Sequence, residues 1–129
     1  MTRAVLRSAP PWLLLAAAVL LVAHLDRYPA PWYDEGLNIS TASMLAAEGM
    51  YALPDQGGPS VMDPKVQTGP TVVVPAAILF RMLGPSLVSA RLVVVAFALA
   101  ALALYWSVAR RAFDRQTALV ASVCLLAGN

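Results

Sequence analysis

LVVVAFALAALALYWSVA, from Leu92 to Ala109, runs for eighteen residues without a charge. At about 1.5 Å of rise per residue a helix of this length comes close to the hydrocarbon thickness of a bilayer. It sits in a chain that is 60% hydrophobic and only 12% charged, with a mean hydropathy of +0.70. Soluble domains carry about 25% charged residues, so this composition predicts an integral membrane protein. The formal charge of +2 points to no nucleic-acid partner, because the basic residues lie at the ends of apolar runs and not in a patch. Cys124 is the sole cysteine, which excludes an internal disulfide.

Working outward, the apolar run opens at Leu87 or Leu92 and ends near Ala109, where Arg110-Arg111-Ala112-Phe113 follows. Before it lie the tight turn Gly84-Pro85-Ser86 and a shorter run, Thr71 to Leu83, which contains Pro75 and Arg81. Towards the N-terminus, Arg3 and Arg7 precede an apolar run from Ala9 to Leu25. Two readings fit this first run: an uncleaved membrane anchor, or a signal peptide. Leu21 occupies the position where a cleavage site wants a small residue, and this favours the anchor. A last apolar run begins at Thr117 and is still open at Asn129.

These runs predict an all-α integral membrane fold with three transmembrane helices and the start of a fourth. The expected spans are about 9–25, 71–83, 87–109 and 117–129. An outer loop, about 26–70, carries a surface helix. By the positive-inside rule the N-terminus is cytoplasmic and the first loop lies outside, at the plasma (inner) membrane. The same count puts Arg110-Arg111 outside, against that rule, unless the short run 71–83 does not fully cross. The open last run also suggests the N-terminal piece of a longer protein, inactive alone.

The outer loop holds six of the seven acidic residues, Asp26, Asp34, Glu35, Glu48, Asp55 and Asp63, against Arg27 and Lys65. Its centre is Trp32-Tyr33-Asp34-Glu35-Gly36. A helix should begin at Asp34 or Glu35, since acids suit a helix N-terminus, and should stop at Gly49. Leu37, Thr41, Met44 and Leu45 share one face of it, as in a helix lying along a membrane surface. Tyr51 to Pro70, dense in Pro and Gly, reads as irregular loop.

Asp34 and Glu35 are the candidate catalytic residues. A carboxylate at an apolar boundary is partly desolvated, gains basicity, and is suited to accept a proton from a hydroxyl. A helix cap beside an interfacial charge explains the pair equally well. Lys65, the lone lysine, either holds a lipid phosphate as a point charge or is simply solvated. Arg81 and Arg91 bracket the turn and are expected to anchor it at lipid headgroups. His24 has no second metal-type ligand nearby, and Asn38-Ile39-Ser40 matches a glycosylation sequon by chance inside a helix. No metal site and no cofactor are expected, and a metal requirement is open.

The order of these features resembles the start of the GT-C membrane glycosyltransferases, in the bacterial branch of aminoarabinose-transferase-like and protein-mannosyltransferase-like enzymes. The residues that carry the resemblance are Tyr33-Asp34-Glu35-Gly36, then Ser43 to Tyr51 in a surface helix, then Thr68-Gly69-Pro70. Arg81-Met82-Leu83-Gly84-Pro85-Ser86, Arg91-Leu92 and Arg110-Arg111-Ala112-Phe113 complete the set. The resemblance implies sugar transfer from a polyprenyl-phosphate carrier to a hydroxyl of a lipid, glycan or protein acceptor on the outer face. It assigns the base to Asp34, a supporting or positioning role to Glu35, and the carrier phosphate to Lys65, although Val66 stands where the family usually has Pro. A non-enzymatic transporter or scaffold subunit is the alternative. Transporters place ionisable groups within their spans, and these spans are nearly free of them.

Overall fold

The computed structural model describes residues 10–23, 25–27, 29–61 and 69–127. Among them the chain is mostly helical, with helices α1 (Pro11–Val22), α2 (Tyr33–Glu48), α3 (Pro70–Leu83), α4 (Leu87–Ala112) and α5 (Arg115–Ala127). A short antiparallel pair, β1 (Ala52–Leu53) and β2 (Ser60–Val61), lies in the segment read from sequence as irregular loop, with Ala52 opposite Val61.

The helix limits follow local chemistry. Pro11 occupies the first position of α1 and Pro70 that of α3, where a missing N–H costs nothing. α2 stops at Gly49, which adopts φ +73, the left-handed conformation that glycine takes without strain. α4 begins behind Ser86, whose Oγ accepts the Ser89 N–H at 3.0 Å. α5 begins behind Asp114, whose Oδ1 accepts the N–H groups of Gln116 and Thr117 at 2.7 and 3.0 Å. These bonds satisfy amides that a helix start leaves unpaired.

Helix length corrects the expected span count. Among the described residues only α4, with 26 residues, is long and apolar enough to cross a membrane. α1, α3 and α5 have 12, 14 and 13 residues. Such helices rise about 18–21 Å against a hydrocarbon core of about 30 Å. Three crossings and a fourth begun are therefore not supported by the helices themselves.

The chain divides into two compact units, with the boundary inside α4. One comprises residues 1–23 and 95–129; its core is Leu13 and Ala17 of α1, Leu102, Trp106 and Ala109 of α4, and Ala118 of α5. Its outward surface stays apolar: Leu15, Leu20, Leu104, Val108 and Val120 are each more than 60% exposed. A water-facing helix normally turns a polar side outward.

The other unit spans residues 24–94 and is built on α2 packed against α3, with β1 against α2. Ala42 of α2, Val73, Ala76, Ala77 and Phe80 of α3, and Val93 at the start of α4 form its core. The α2 face in this contact carries Ile39, Ala42, Leu45 and Ala46. The expected membrane-surface face, Leu37, Thr41, Met44 and Leu45, is thus only partly free, since Thr41 is buried and Leu45 packs on the core. Small residues at 42, 46, 76 and 77 let the two helices approach closely.

Candidate functional site

Asp34 and Glu35 lie in the first turn of α2 and have separate surroundings. The Glu35 side chain is 26% exposed and meets Arg91, which is 5% exposed. Arg91 Nε donates to Oε1 of Glu35 at 2.6 Å and Nη2 donates to Oε2 at 2.8 Å, a bidentate pair. The guanidinium also donates from Nη1 to the Leu25 carbonyl at 2.8 Å and from Nη2 to the Pro29 carbonyl at 2.7 Å. One side chain thus joins α4, the segment ahead of α2, and the first turn of α2. Arg91 was expected at lipid headgroups; it is buried, with four of its five N–H donors bonded to protein, because a guanidinium with so little exposure must spend its donors on acceptors.

The pair governs the protonation of Glu35. Hydrogen bonds from Arg91 hold its carboxyl below the ordinary glutamate range. Partial burial opposes this, while the Arg91 charge and the Trp32 backbone N–H add to the lowering. Glu35 is therefore a fixed carboxylate, poorly suited to take up a proton. Asp34 is exposed and makes no hydrogen bond or ion pair among the described residues. Trp32 and Tyr33 beside it are 74% and 75% exposed. The two acids that sequence reading treated as one site thus divide into an anchored glutamate and an uncommitted aspartate.

A cavity of about 480 Å³ opens beside the pair. Glu35, Asn38 and Arg91 supply the polar part of its wall, and Trp32, Val73 and Val94 belong to the apolar part. Asp34 is not part of this wall. Both oxygens of Glu35 and all three guanidinium nitrogens are engaged, so the pair's charges compensate each other, and Asn38 adds a further polar side chain to the wall. Lys65 and Asp63 lie outside the described residues, so the structure does not bring Lys65 to this site.

Arg81, expected to reach toward an interface, instead donates from Nε to the Ala46 carbonyl at 2.9 Å and from Nη2 to that of Leu45 at 3.4 Å. It caps the last turn of α2, where the Leu45 carbonyl also accepts the Gly49 N–H at 3.2 Å. Among the described residues no three or more His, Cys, Asp or Glu side chains come together as a metal set. No family model, curated protein or solved structure matches the chain.

The residue missed by sequence reading is Arg91 as the partner of Glu35. A signal for it exists. Between Leu87 and Ala109 Arg91 is the one charge of α4, and most of the acids able to neutralise it crowd into a single loop. The separation of 56 residues hides which of them does so.

Proposed function

We propose that this chain belongs to a polyprenyl-phosphate-dependent glycosyltransferase of the GT-C type, with Asp34 as the catalytic base. The observation that carries the reading is the division of labour in the acidic pair. Arg91 takes up both oxygens of Glu35 and leaves Asp34 exposed and uncommitted one residue away. A general base needs a free carboxylate with a fixed backbone, and a rigid neighbour supplies the fixing. The ordered motifs around Tyr33-Asp34-Glu35-Gly36 support the same assignment.

In this reading Asp34 removes the proton from the acceptor hydroxyl as that oxygen bonds to the anomeric carbon of the sugar. The bond from that carbon to the carrier phosphate breaks, with inversion, and the phosphate leaves with the electron pair. Lys65 is the proposed contact to the phosphate, an electrostatic role. Arg91 is not assigned that role, because four of its five N–H donors are committed to Glu35, Leu25 and Pro29. Glu35 acts through position, holding the first turn of α2.

The protein is proposed to reside in the inner membrane, with the N-terminus cytoplasmic and residues 26–70 outside. The apolar outward surface of the unit containing α1 and α5 supports a lipid environment. The test is Asp34→Asn in the protein expressed from its natural gene. Transfer from a polyprenyl-phosphate sugar should fall by at least about 10²-fold, the usual contribution of a general base, with membrane abundance unchanged. Wild-type transfer in that variant removes the assignment.

A further inference from the structure

We propose that the cavity beside the Glu35–Arg91 pair is a lipid-chain site, holding one fatty acyl chain that ends in an uncharged ester or hydroxyl group. This takes the source of the chain from the membrane reading above and does not depend on the role of Asp34. Every wall residue belongs to the unit of residues 24–94, so the cavity is a feature of one compact body. α3 contributes Val72 and Ala76, α4 contributes Ala90 and Val94, and Trp32 stands ahead of α2. Trp32 and Val94 remain 74% and 56% exposed. Apolar surface left open around a concavity marks a place where an apolar group is received. At about 480 Å³ the cavity lies in the lower half of the roughly 300–1,000 Å³ of small-molecule sites. That size suits a single chain better than a whole two-chain lipid.

The polar part of the wall decides what the chain carries at its end. Glu35 and Arg91 neutralise each other through a bidentate pair. An ionised carboxylate, phosphate or ammonium entering here loses its water and finds no uncommitted counter-charge, a costly exchange. Two hydrogen-bonding groups remain. Asn38 is half-buried, and its amide has no partner among the described residues. Nη1 of Arg91 has two N–H groups; one goes to the Leu25 carbonyl and the other has no acceptor among the described residues. An ester carbonyl or a hydroxyl oxygen accepts from either group. A sugar is the poorer fit, because its further hydroxyls would face Val72, Ala76 and Ala90 with their hydrogen bonds unmade.

Side-chain size keeps the cavity open. Ala30, Ala76 and Ala90 are wall positions where the side chain ends at Cβ. Val72 is half-buried in the first turn of α3 and is not one of the residues that pack α2 on α3. A large side chain at Val72 therefore fills the cavity and leaves that packing as it is.

A monoacylglycerol carrying a diazirine in its chain tests this. The protein is reconstituted in vesicles of a branched-chain ether phospholipid, which offers no acyl ester, and irradiated; the adducts are mapped by mass spectrometry. Adducts should saturate with added probe and fall on Val72, Ala76, Ala90 and Val94. A fatty-acid probe of the same chain, in alkaline buffer where its carboxyl is ionised, should label at least about fivefold less, and Asn38→Leu should weaken the ester probe by about fivefold, the worth of one hydrogen bond. A headless alkyl probe should be indifferent to Asn38→Leu. Val72→Trp should abolish wall labelling, and Met82→Trp, outside the wall, should leave it intact; the melting temperature of each variant is checked first. Labelling that never saturates, that falls on Ile78 and Met82 as readily as on the wall, or that survives Val72→Trp in a folded protein overturns the site. Equal labelling by the ionised fatty acid, or no effect of Asn38→Leu on the ester probe, overturns the uncharged head. Stronger labelling by a prenol probe overturns the acyl chain. Release of the protein from membranes by carbonate, with saturable wall labelling retained in micelles, keeps the site and overturns the membrane reading alone.

Discussion

Replacing Arg91 by methionine keeps most of the side-chain volume and deletes four hydrogen bonds at once: two to Glu35 and one each to the Leu25 and Pro29 carbonyls. Removing one partner of a buried ion pair costs about 3–5 kcal/mol, because the other charge remains without compensation. Glu35 keeps 26% of its side-chain surface in contact with solvent, which places the expected cost near the lower figure, about 3 kcal/mol. At 1.36 kcal/mol per decade, this raises the population of molecules with the α2 start opened by roughly 10²-fold. Hydrogen exchange over residues 25–40 in micelles reads that opening directly.

Glu35→Gln keeps the two carbonyl bonds but strips the 5%-exposed guanidinium of its counter-charge, so its cost is also about 3–5 kcal/mol. Arg91→Lys keeps the charge but not the fork, and should fall between wild type and methionine. Coupling is the sharper measure. In the double variant Glu35→Gln with Arg91→Met, the loss should be at least about 1 kcal/mol smaller than the sum of the singles. Exchange in Arg91→Met within about threefold of wild type, or strict additivity in the double variant, refutes the account of Arg91 as the clamp.

Two further outcomes are expected. Glu35 has a lowered pKa in the folded protein, so its pair with Arg91 contributes fully above the ordinary glutamate value, about 4.3, and that contribution is lost as pH falls through the lowered value. Melting temperature in micelles should drop in acid below that point, and the drop should be smaller in Glu35→Gln. Gly49→Ala should destabilise by about 1 kcal/mol through backbone strain at φ +73, since no atom lies within 4 Å of the added Cβ; a thermal melt in which the alanine variant matches wild type would contradict this.

Local signals in the sequence were read well where one residue decides the backbone. Gly49 ends α2, Gly84-Pro85-Ser86 separates α3 from α4, and the apolar run through Leu92–Ala109 is one helix. The β1–β2 pair escaped notice because two-residue strands are too short to show alternation, and the surrounding Pro and Gly read as loop. The division of Asp34 from Glu35 was equally hidden. Adjacent acids look identical in sequence until one of them acquires a partner 56 residues away.

The hardest misreading concerns α3, and its cause is physical. Hydropathy measures how apolar a run is, and a helix buried half against protein and half against lipid is as apolar as one that spans. Length is what hydropathy omits: α1, α3 and α5 have 12, 14 and 13 residues, against 26 in α4. The charges flanking α3 say the same thing. A crossing helix leaves Arg81 and Arg91 on the side opposite the loop acids, stranded from six of the seven carboxylates of the chain. Burying the Arg91 guanidinium to 5% exposure is tolerable only with a carboxylate in reach, and Glu35 is that carboxylate. The requirement that a buried charge be neutralised thus brings the start of α4 to the first turn of α2, a contact that counting apolar residues cannot reach.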